Sequence, residues 1–492
     1  DGTIGGAPDD LSPSDYKTVQ LDIDCSNCRD FLTIPITARI SPVNLETASQ
    51  NGALFVRVFD ANGVPVPQAS VHIENNLEVP AIVIDEVTNN NGVLQIVDAP
   101  PGSNAYEITV TKSGFSTDRT YTLNDPINPN PIKRHATVLI QQVTQTSFLI
   151  DDLSNIDFSS VTDTCANVPS LGFSMTGSKV IGESPDIYKY NESHTTDSFG
   201  SLVVSGVEWD TYNFSIMGLT HELAGTNPLM PVEVVPGSDQ SIQLILKNRD
   251  PKTAVVAVKD SNSNLPLSDA TVSITGSTYD DVKITNRGSL RQTDWSGGSG
   301  QNLIGDPTRY FSSDGNIDTQ NPVGQIVLVN VFGTYLTDGF LTSSTFDTGT
   351  SSNFHQINWE PTSQPSQVGT PSVRLKISTN SDNETWEYLG PDGTTGSFYD
   401  VGDTNINSVH NGDRYLRYRI YLNTVDTDYT PNISDVSFTF TSDCVPPGQV
   451  SFSGLPADTY TINVTKTGYA NYEQEIIVSD DWTYYEVMMT VL

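Results

Sequence analysis

An internal repeat constrains the fold of this chain more than any other feature. The segment YEITVTKSGF (106–115) returns near the other end as YTINVTKTGY (460–469). Apolar and polar side chains alternate in both copies, which is the period of a half-buried strand. Upstream, VRVFDANGVPVP (56–67) is echoed by VAVKDSNSNLPL (256–267), with turn-forming Asp, Asn, Gly and Ser between the strands. The chain is therefore predicted to contain copies of one small β-sandwich.

A weaker third copy lies between these two. The spacing Thr-x-x-x-Gly occurs at 88–92 and again at 196–200, and the tripeptide Asp-Thr-Tyr occurs at 210–212 and at 458–460. Such spacing fits a glycine turn, a strand, a short corner and a strand that begins at the tyrosine. The alternative is chance similarity, which any β-protein can offer.

The last copy carries a long insertion. The interval from Ile73 to Tyr106 is 33 residues, whereas the matching interval from Ile274 to Tyr460 is 186. The surplus is large enough for a whole domain, and it contains strand-like segments such as VRLKIST, YLRYRIYL and SDVSFTFT. A long insertion costs little free energy when its two ends lie close together on the host. We interpret it as an inserted β-sandwich.

The repeated segments resemble a known domain family. VFDANGVPVPQASVHI with NGVLQIVDAPPGSNAYEITVTKSGF is similar to the carboxypeptidase regulatory-like, or transthyretin-like, sandwich, and so are KDSNSNLPLSDATVSI and GQVSFSGLPADTYTINVTKTGY. The arrangement resembles large pilin-like surface proteins of bacteria, in which a membrane helix and a short strand head precede such sandwiches and a jelly-roll insertion. DYKTVQLDID and FLTIPITARISPVNLE match the strand pair of that head. The hydrophobic prepilin helix of that arrangement does not occur in this sequence, so the resemblance implies incorporation into a pilus only if that helix has been removed.

Together these patterns predict an all-β fold of tandem transthyretin-like or immunoglobulin-like β-sandwiches, the last interrupted by a jelly-roll-like β-sandwich. The predicted boundaries are 1–13 for a polar linker, 14–50 for an N-terminal strand pair, 51–136 for copy one, 137–250 for copy two, 251–295 with 444–492 for copy three, and 296–443 for the insert.

The charge balance limits the partners. Lysine and arginine total 24 against 59 acidic residues, a formal net charge of −35. Nucleic acids and anionic membrane surfaces are therefore not expected as partners. No stretch approaches the ~18 apolar residues of a membrane span, and the polar opening DGTIGGAPDDLSPSD lacks a signal-peptide pattern. We expect a mature extracellular product located at the cell surface.

Four cysteines allow three pairings. Cys25 and Cys28 form CSNC between two strand-like segments, where neither a following helix nor nearby zinc ligands support a redox or metal site. We favour a local Cys25–Cys28 disulfide, which leaves Cys165 and Cys444 to pair and lock copy two to copy three. The alternative is four buried, unpaired thiols.

Catalytic motifs are missing. His221-Glu222 begins HELAG, but the zinc-protease motif needs a second histidine where Gly225 stands. The other histidines are scattered, and no GxSxG, P-loop or GxGxxG segment is present. We predict that the protein is not an enzyme.

Calcium is the one metal that the sequence suggests, and no other cofactor is expected. The candidate ligands are Asp314, Asn316 and Asp318 in one loop, and Asp382 and Glu384 in another. A similar loop begins at Asp260. The first loop and the loop at Asp260 lack the glycine and the glutamate of an EF-hand. The alternative for each is a solvated Asp/Asn turn.

An intramolecular Lys–Asn isopeptide bond is not predicted. Lys259 lies in the first strand of copy three, but Val256 and Val258 take the apolar phase, so Lys259 is expected to face solvent. The last strand, YYEVMMTVL, contains no asparagine.

The insert is the candidate binding domain. Jelly-roll sandwiches commonly bind sugars through stacked aromatic side chains, and Trp359, Trp386 and Tyr388 are available, with core packing as the alternative for each. We predict a non-enzymatic extracellular surface or type IV pilus-associated protein, used in structure or adhesion. Its partners would be other pilus or surface subunits, or a host or neighbouring cell surface. The alternative is a carbohydrate-binding accessory protein that acts through the insert.

Overall fold

The computed structural model describes residues 17–23, 34–40, 50–479 and 481–492. Within these ranges the chain is β-structure joined by turns, and its helical segments are two 3₁₀ turns, Ser366–Val368 and Ser408–His410. Strands β1 (Lys17–Ile23) and β2 (Ile34–Ile40) pair antiparallel. The predicted linker and the Cys25–Cys28 bridge lie outside the described residues.

Sandwich one spans residues 52–150. Its strands are β3 (Gly52–Phe59), β4 (Ser70–Asn75), β5 (Ile82–Val87), β6 (Val93–Ala99), β7 (Gly102–Thr111), β8 (Asp118–Arg119), β9 (Ala136–Val138) and β10 (Val143–Leu149). One sheet has the order β10-β3-β6, and the other has the order β5-β4-β7-β8, with β9 on β7. The first and last strands, β3 and β10, pair in parallel.

Sandwich two spans residues 154–248. Its strands are β11 (Ser154–Thr162), β12 (Gly172–Gly177), β13 (Val180–Gly182), β14 (Ile187–Tyr188), β15 (Asn191–Thr195), β16 (Ser201–Val207), β17 (Asp210–Ile216), β18 (His221–Asn227), β19 (Val232–Val234) and β20 (Asp239–Asn248). The main sheets are β16-β11-β20-β18 and β15-β12-β17-β19, and β11 and β20 again pair in parallel.

Sandwich three is split by the insert. Its first part contains β21 (Thr253–Asp260), β22 (Thr271–Thr275) and β23 (Asp280–Ile284). The insert, residues 288–441, contains β24 (Gly288–Gln292), β25 (Gly298–Ser299), β26 (Arg309–Ser313), β27 (Ile317–Asp318), β28 (Ile326–Leu328), β29 (Asn330–Val331), β30 (Thr334–Tyr335), β31 (Asp338–Ser343), β32 (Phe346–Glu360), β33 (Val373–Asn380), β34 (Thr404–Asn405), β35 (Asp413–Asn423), β36 (Asn432–Ile433) and β37 (Asp435–Thr441). The chain returns with β38 (Gln449–Phe452), β39 (Asp458–Thr465), β40 (Tyr472–Val478) and β41 (Trp482–Met489). Sandwich three has sheets β38-β21-β41 and β23-β22-β39-β40, with β21 and β41 parallel.

The repeat is confirmed as three sandwiches of one plan. Tyr106, Tyr212 and Tyr460 are almost fully buried, and each hydroxyl donates to a backbone carbonyl four to six residues upstream at 2.6–2.7 Å. The bonded ring joins the start of its strand to the preceding corner. This is why a tyrosine recurs at the matching position of each copy. The tandem β-sandwich prediction is confirmed.

Two predicted boundaries differ from the structure. The sandwich-one sheet includes β10, so its end lies near 150 rather than 136, because the last strand pairs with the first and carries no repeated motif. The insert begins near 288 rather than 296, because β24 pairs with β37 and Trp295 lies in the insert's core.

The insert has its own hydrophobic core between two sheets that share one long strand. The first part of β32 pairs with β35, its last part pairs with β37, and irregular register separates the two. The core contains Trp295, Phe346, Trp359, Tyr418 and Phe438, all nearly inaccessible to solvent. The insert is therefore a β-sandwich, and its jelly-roll topology stays a prediction.

Candidate functional site

The insert is held by a disulfide to sandwich two. Cys165 follows β11, Cys444 follows the last strand of the insert, and the two are bonded with their Cα atoms 5.4 Å apart. The predicted Cys165–Cys444 pairing is confirmed. Beside the bridge, the backbone of Gly349 in β32 lies against sandwich two, so that an added Cβ would meet the Thr164 carbonyl oxygen at 1.8 Å.

Hydrogen bonds continue this junction into sandwich three. Gln449 donates to the carbonyl of Thr226 at 2.7 Å and accepts from its N–H at 3.2 Å. The Trp482 indole donates to the Leu223 carbonyl at 2.8 Å, and the Tyr484 hydroxyl donates to a backbone carbonyl of sandwich two. Both rings also pack against the core of sandwich two. Because these bonds come from side chains set into the junction, they fix the relative position of the two sandwiches.

The HELAG segment is part of this junction. The carboxylate of Glu222, 5% exposed, accepts from Thr253 Oγ1 at 2.5 Å and lies 3.4 Å from Lys247 Nζ. Burial lowers the pKa of Lys247 to about 8 despite that carboxylate. The His221 imidazole contacts only the hydroxyl of the adjacent threonine among the hydrogen bonds of the described residues. The motif joins two sandwiches.

Lys259 is the residue whose predicted environment is wrong. It is 4% exposed and forms an ion pair of 2.7 Å with Glu486 on the last strand, whereas the alternation in β21 predicted exposure to solvent. All eight residues of β21 are buried, and on the neighbouring strand β41 Trp482 and Tyr484 pack against the core of sandwich two. The partner of the lysine is a carboxylate, and the absence of an asparagine in the last strand still opposes the Lys–Asn bond.

Of the five predicted calcium ligands, Asp314, Asp318 and Asp382 serve as acceptors in turns, whereas the side-chain amide of Asn316 donates to the Asp338 carbonyl at 3.1 Å. Asp314 accepts from the N–H groups of Asn316 and Phe340 at 3.0 and 2.9 Å, and Asp318 accepts from two amides farther along the chain. Asp382 accepts from the N–H groups of Glu384 and Thr385 and from the Thr385 hydroxyl, and these bonds lower the pKa of its carboxyl. Across the part of the chain that the structure describes, no group of three His, Cys, Asp or Glu residues could hold a metal ion. Calcium at these loops stays a prediction.

The three aromatic candidates are not in equivalent places. Trp359 is 3% exposed in the core of the insert, so its proposed role as a sugar platform is wrong and the core-packing alternative holds. Trp386 and Tyr388 are half-buried on the outside of the sheet. The guanidinium of Arg417 lies 4.1 Å from the Trp386 ring centre, and that of Arg419 lies 4.0 Å from the Tyr388 ring centre.

Strand alternation builds this outer face. In β35, Leu416, Tyr418 and Ile420 point into the core, so Arg417 and Arg419 point outwards. In the neighbouring strand β33 the outward residues include Arg374 and Lys376, and the register places Lys376 directly opposite Arg419. Two cationic side chains therefore meet across one strand pair, an arrangement that is unfavourable by itself.

Aromatic rings separate and cover these cations. The ring centres of Phe311 and Trp386 lie 3.9 and 4.1 Å from the Arg417 guanidinium carbon, and the ring centre of Phe398 lies 4.2 Å from Lys376 Nζ. Phe340 and Tyr421 continue the row, with ring centres 5.8 Å apart. We call this set the cation–aromatic face; its residues are Phe311, Phe340, Arg374, Lys376, Trp386, Tyr388, Phe398, Arg417, Arg419 and Tyr421.

The basic side chains of the face have aromatic and neutral partners. Arg417 donates to Thr345 Oγ1 and Asn302 Oδ1, Arg419 donates to a threonine hydroxyl, and Lys376 donates to a backbone carbonyl. None of the four basic residues of the face forms an ion pair with a carboxylate of the described ranges. Burial, followed by the charges of Arg419 and Arg374, lowers the pKa of Lys376.

The sequence contained a pattern that could have predicted the basic residues of this face, which our sequence analysis missed. In YLRYRIYL, Arg417 and Arg419 have the phase opposite to the apolar residues, so both belong on the outside of the strand. Their neighbours Arg374 and Lys376 have the same phase in VRLKIST. The register that brings the two strands together, and the loop that places Phe398 over them, could not be deduced from local pattern.

Comparison with known proteins gives remote similarity only. The chain matches no family model and no curated protein. Among solved structures, the chain is similar to the Bacillus anthracis TIE protein, with 9% sequence identity and a TM-score of 0.20. The match covers 96% of this chain but only 58% of the length of the TIE protein. A minor pilin of Streptococcus agalactiae matches 40% of this chain and 96% of its own length, at 12% identity and a TM-score of 0.20. The match to a streptococcal ancillary pilin covers 90% of this chain and 99% of that pilin, at 10% sequence identity and a TM-score of 0.16. At these TM-scores the likeness carries no argument about function.

Proposed function

We propose that this protein is a non-enzymatic extracellular protein of the cell surface, associated with a type IV pilus, in which three sandwiches support the insert and present it to other surfaces. The observation that carries the proposal is the Cys165–Cys444 disulfide between sandwich two and the root of the insert. Structural disulfides persist in oxidising compartments, so this bridge supports an exported location.

The manner of insertion supports a presenting role. The insert interrupts sandwich three between β23 and β38, which belong to different sheets of that sandwich. Its root is then attached to sandwich two by the disulfide and by the Gly349 contact. A domain with two chain connections and a third covalent attachment has a fixed orientation, as a presented binding domain requires. Within the described residues no helix is long and apolar enough to cross a membrane.

Surface labelling tests this function. Antibodies raised against the purified chain would be applied to intact cells and to permeabilised cells of the source organism, and labelling would be recorded by immunogold electron microscopy. We expect labelling of intact cells, along filaments if the protein is pilus-associated. Labelling that requires permeabilisation would refute the proposed location, and surface labelling with no filaments would remove the pilus association.

A carbohydrate-binding role for the insert is the second candidate, and the cation–aromatic face favours it. Trp386 and Tyr388 are partly exposed beside polar groups on the outside of the sheet. Binding to a glycan array by the full chain, measured with calcium and with EDTA, tests both the role and the proposed calcium dependence. Equal binding in the two buffers would remove calcium from the proposal.

A further inference from the structure

The cation–aromatic face concentrates positive charge on a strongly acidic chain. The net charge is −35, and only 24 residues are lysine or arginine, yet four of them share this face. In two neighbouring strands, Lys376 faces Arg419, and Arg374 lies one outward position farther along β33. Residues related in this diagonal way lie about 7–8 Å apart. The face therefore holds three cations within the span of one small ligand.

The arginines of this face use only some of their N–H groups in hydrogen bonds within the protein. Arg417 is 3% exposed, enclosed between two rings and bonded to two neutral oxygens, so it serves the structure. Arg374 and Arg419 are partly exposed, and a guanidinium carries five N–H donors. The structure gives Arg419 one hydrogen bond, to Thr342 Oγ1 at 2.9 Å. The guanidinium carbon of Arg374 lies 4.7 Å from the Phe398 ring centre, and its side chain forms no hydrogen bond within the part of the chain that the structure describes.

We infer that the cation–aromatic face binds a sugar residue that bears a carboxylate, with Arg374 and Arg419 binding the carboxylate and Trp386 and Tyr388 packing against the ring. A guanidinium matches the planar geometry of a carboxylate with two parallel hydrogen bonds. The partly exposed indole and phenol, each in contact with a guanidinium, supply flat apolar surfaces beside the cations. This inference names the ligand class of the second candidate function above and rests on it, but it does not depend on cell-surface location or on a pilus.

Long-range charge decides between kinds of anion. A chain of −35 repels a polyanion or an anionic membrane beyond the immediate site, whereas a single carboxylate on an otherwise neutral glycan meets mainly the local field. An acidic segment of a second copy of this chain would bring the same repulsion between whole molecules. The terminal acidic residue of a neutral oligosaccharide is therefore the occupant that the charges favour.

The test uses the full chain and an array of oligosaccharides that end in glucuronate or sialate, each printed beside its methyl ester. We expect binding to at least one acid and binding at least ~10-fold weaker to its ester, since a hydrogen bond to a charged group contributes about 1.5–3 kcal/mol and 1.4 kcal/mol is tenfold in affinity. Equal binding of acid and ester, or binding of neither, would overturn the inference.

Three variants locate the site. Arg419→Gln and, independently, Arg374→Gln should each weaken binding of the acid by about 10- to 100-fold. Arg119→Gln is the matched control, because Arg119 lies 5.0 Å from the Tyr121 ring in sandwich one, away from the insert; it should bind like the parent. Thermal unfolding would confirm that each variant is folded. If the acid binds both face variants as tightly as it binds the parent, the face does not bind the sugar acid.

Discussion

Replacing Gly349 with alanine should open the junction between the insert and sandwich two. This glycine has a φ of 82°, a region in which an L-residue costs roughly 1–2 kcal/mol. The added Cβ would also lie 1.8 Å from the Thr164 carbonyl oxygen and 2.8 Å from the Cβ of Cys165. Non-bonded carbon atoms prefer about 3.5–4.0 Å, so the two surfaces would have to separate by about 1.5 Å or more.

The expected cost follows from these two terms. Overpacking of a closely packed site costs about 1–3 kcal/mol, which adds to the backbone term to give about 2–5 kcal/mol for Gly349→Ala. Gly315 supplies a matched control: its φ is 89°, and an added Cβ there would meet nothing within 4 Å. Gly315→Ala should therefore lose only the backbone term, about 1–2 kcal/mol.

Hydrogen exchange separates a local opening from general destabilisation. The Thr226 amide is buried and donates to the side chain of Gln449, which lies five residues past Cys444 at the root of the insert, so its exchange rate reports separation of sandwich two from this root. We expect faster exchange at Thr226 and a lower melting temperature in Gly349→Ala, with exchange at Thr226 unchanged in Gly315→Ala. Equal melting temperatures and equal exchange in the two variants would refute the close-contact argument.

Three further predictions concern the other contacts. Tyr212→Phe removes the hydroxyl that donates to the Glu208 carbonyl at 2.7 Å and should destabilise sandwich two by about 1–3 kcal/mol in denaturant titration, whereas Tyr188→Phe, at an exposed site, should change little. Burial lowers the pKa of His410 to about 4, so the folded state binds fewer protons than the unfolded state between pH ~6.5 and ~4. The free energy of unfolding of the insert should therefore fall by up to about 3 kcal/mol as the pH decreases through that window. His410→Gln should make the free energy of unfolding less dependent on pH in the same range. Cys165→Ser with Cys444→Ser should leave each sandwich folded by circular dichroism but raise protease cleavage near 442–447, and a cleavage pattern identical to the parent would show that the hydrogen-bonded junction suffices without the disulfide.

Local patterns predicted the sandwiches because the decisive groups are close together in sequence. The alternating strands and the buried tyrosine that bonds its own corner are both set within about ten residues, so their signal survives in each copy. The Cys165–Cys444 pairing could also be predicted from the sequence, because assigning Cys25 and Cys28 to a local bridge left Cys165 and Cys444 as each other's only partner.

Long-range packing decided what the sequence did not predict. Lys259 has the strand phase of an exposed residue, yet it is 4% exposed and its ammonium group is paired with Glu486 on the last strand. Trp359 and Trp386 were both candidates because they are tryptophans of the insert, yet the position of Trp359 in its strand places its side chain in the core. The cation–aromatic face depends on the register between β33 and β35, which are more than thirty residues apart and are aligned by the tertiary fold.

The parallel pairing of first and last strands determines how each sandwich responds to mechanical tension. In sandwich three, β21 and β41 run side by side over eight residue pairs, from Thr253 opposite Trp482 to Asp260 opposite Met489. The chain enters at one end of this ladder and leaves at the other, so pulling the two ends apart slides the strands lengthwise. Hydrogen bonds in a parallel ladder are evenly spaced and must then yield together, whereas a hairpin pulled from its open end releases them one after another. Sandwiches one and two have the same arrangement, so a pull along the chain meets the most resistant direction of each sandwich in turn.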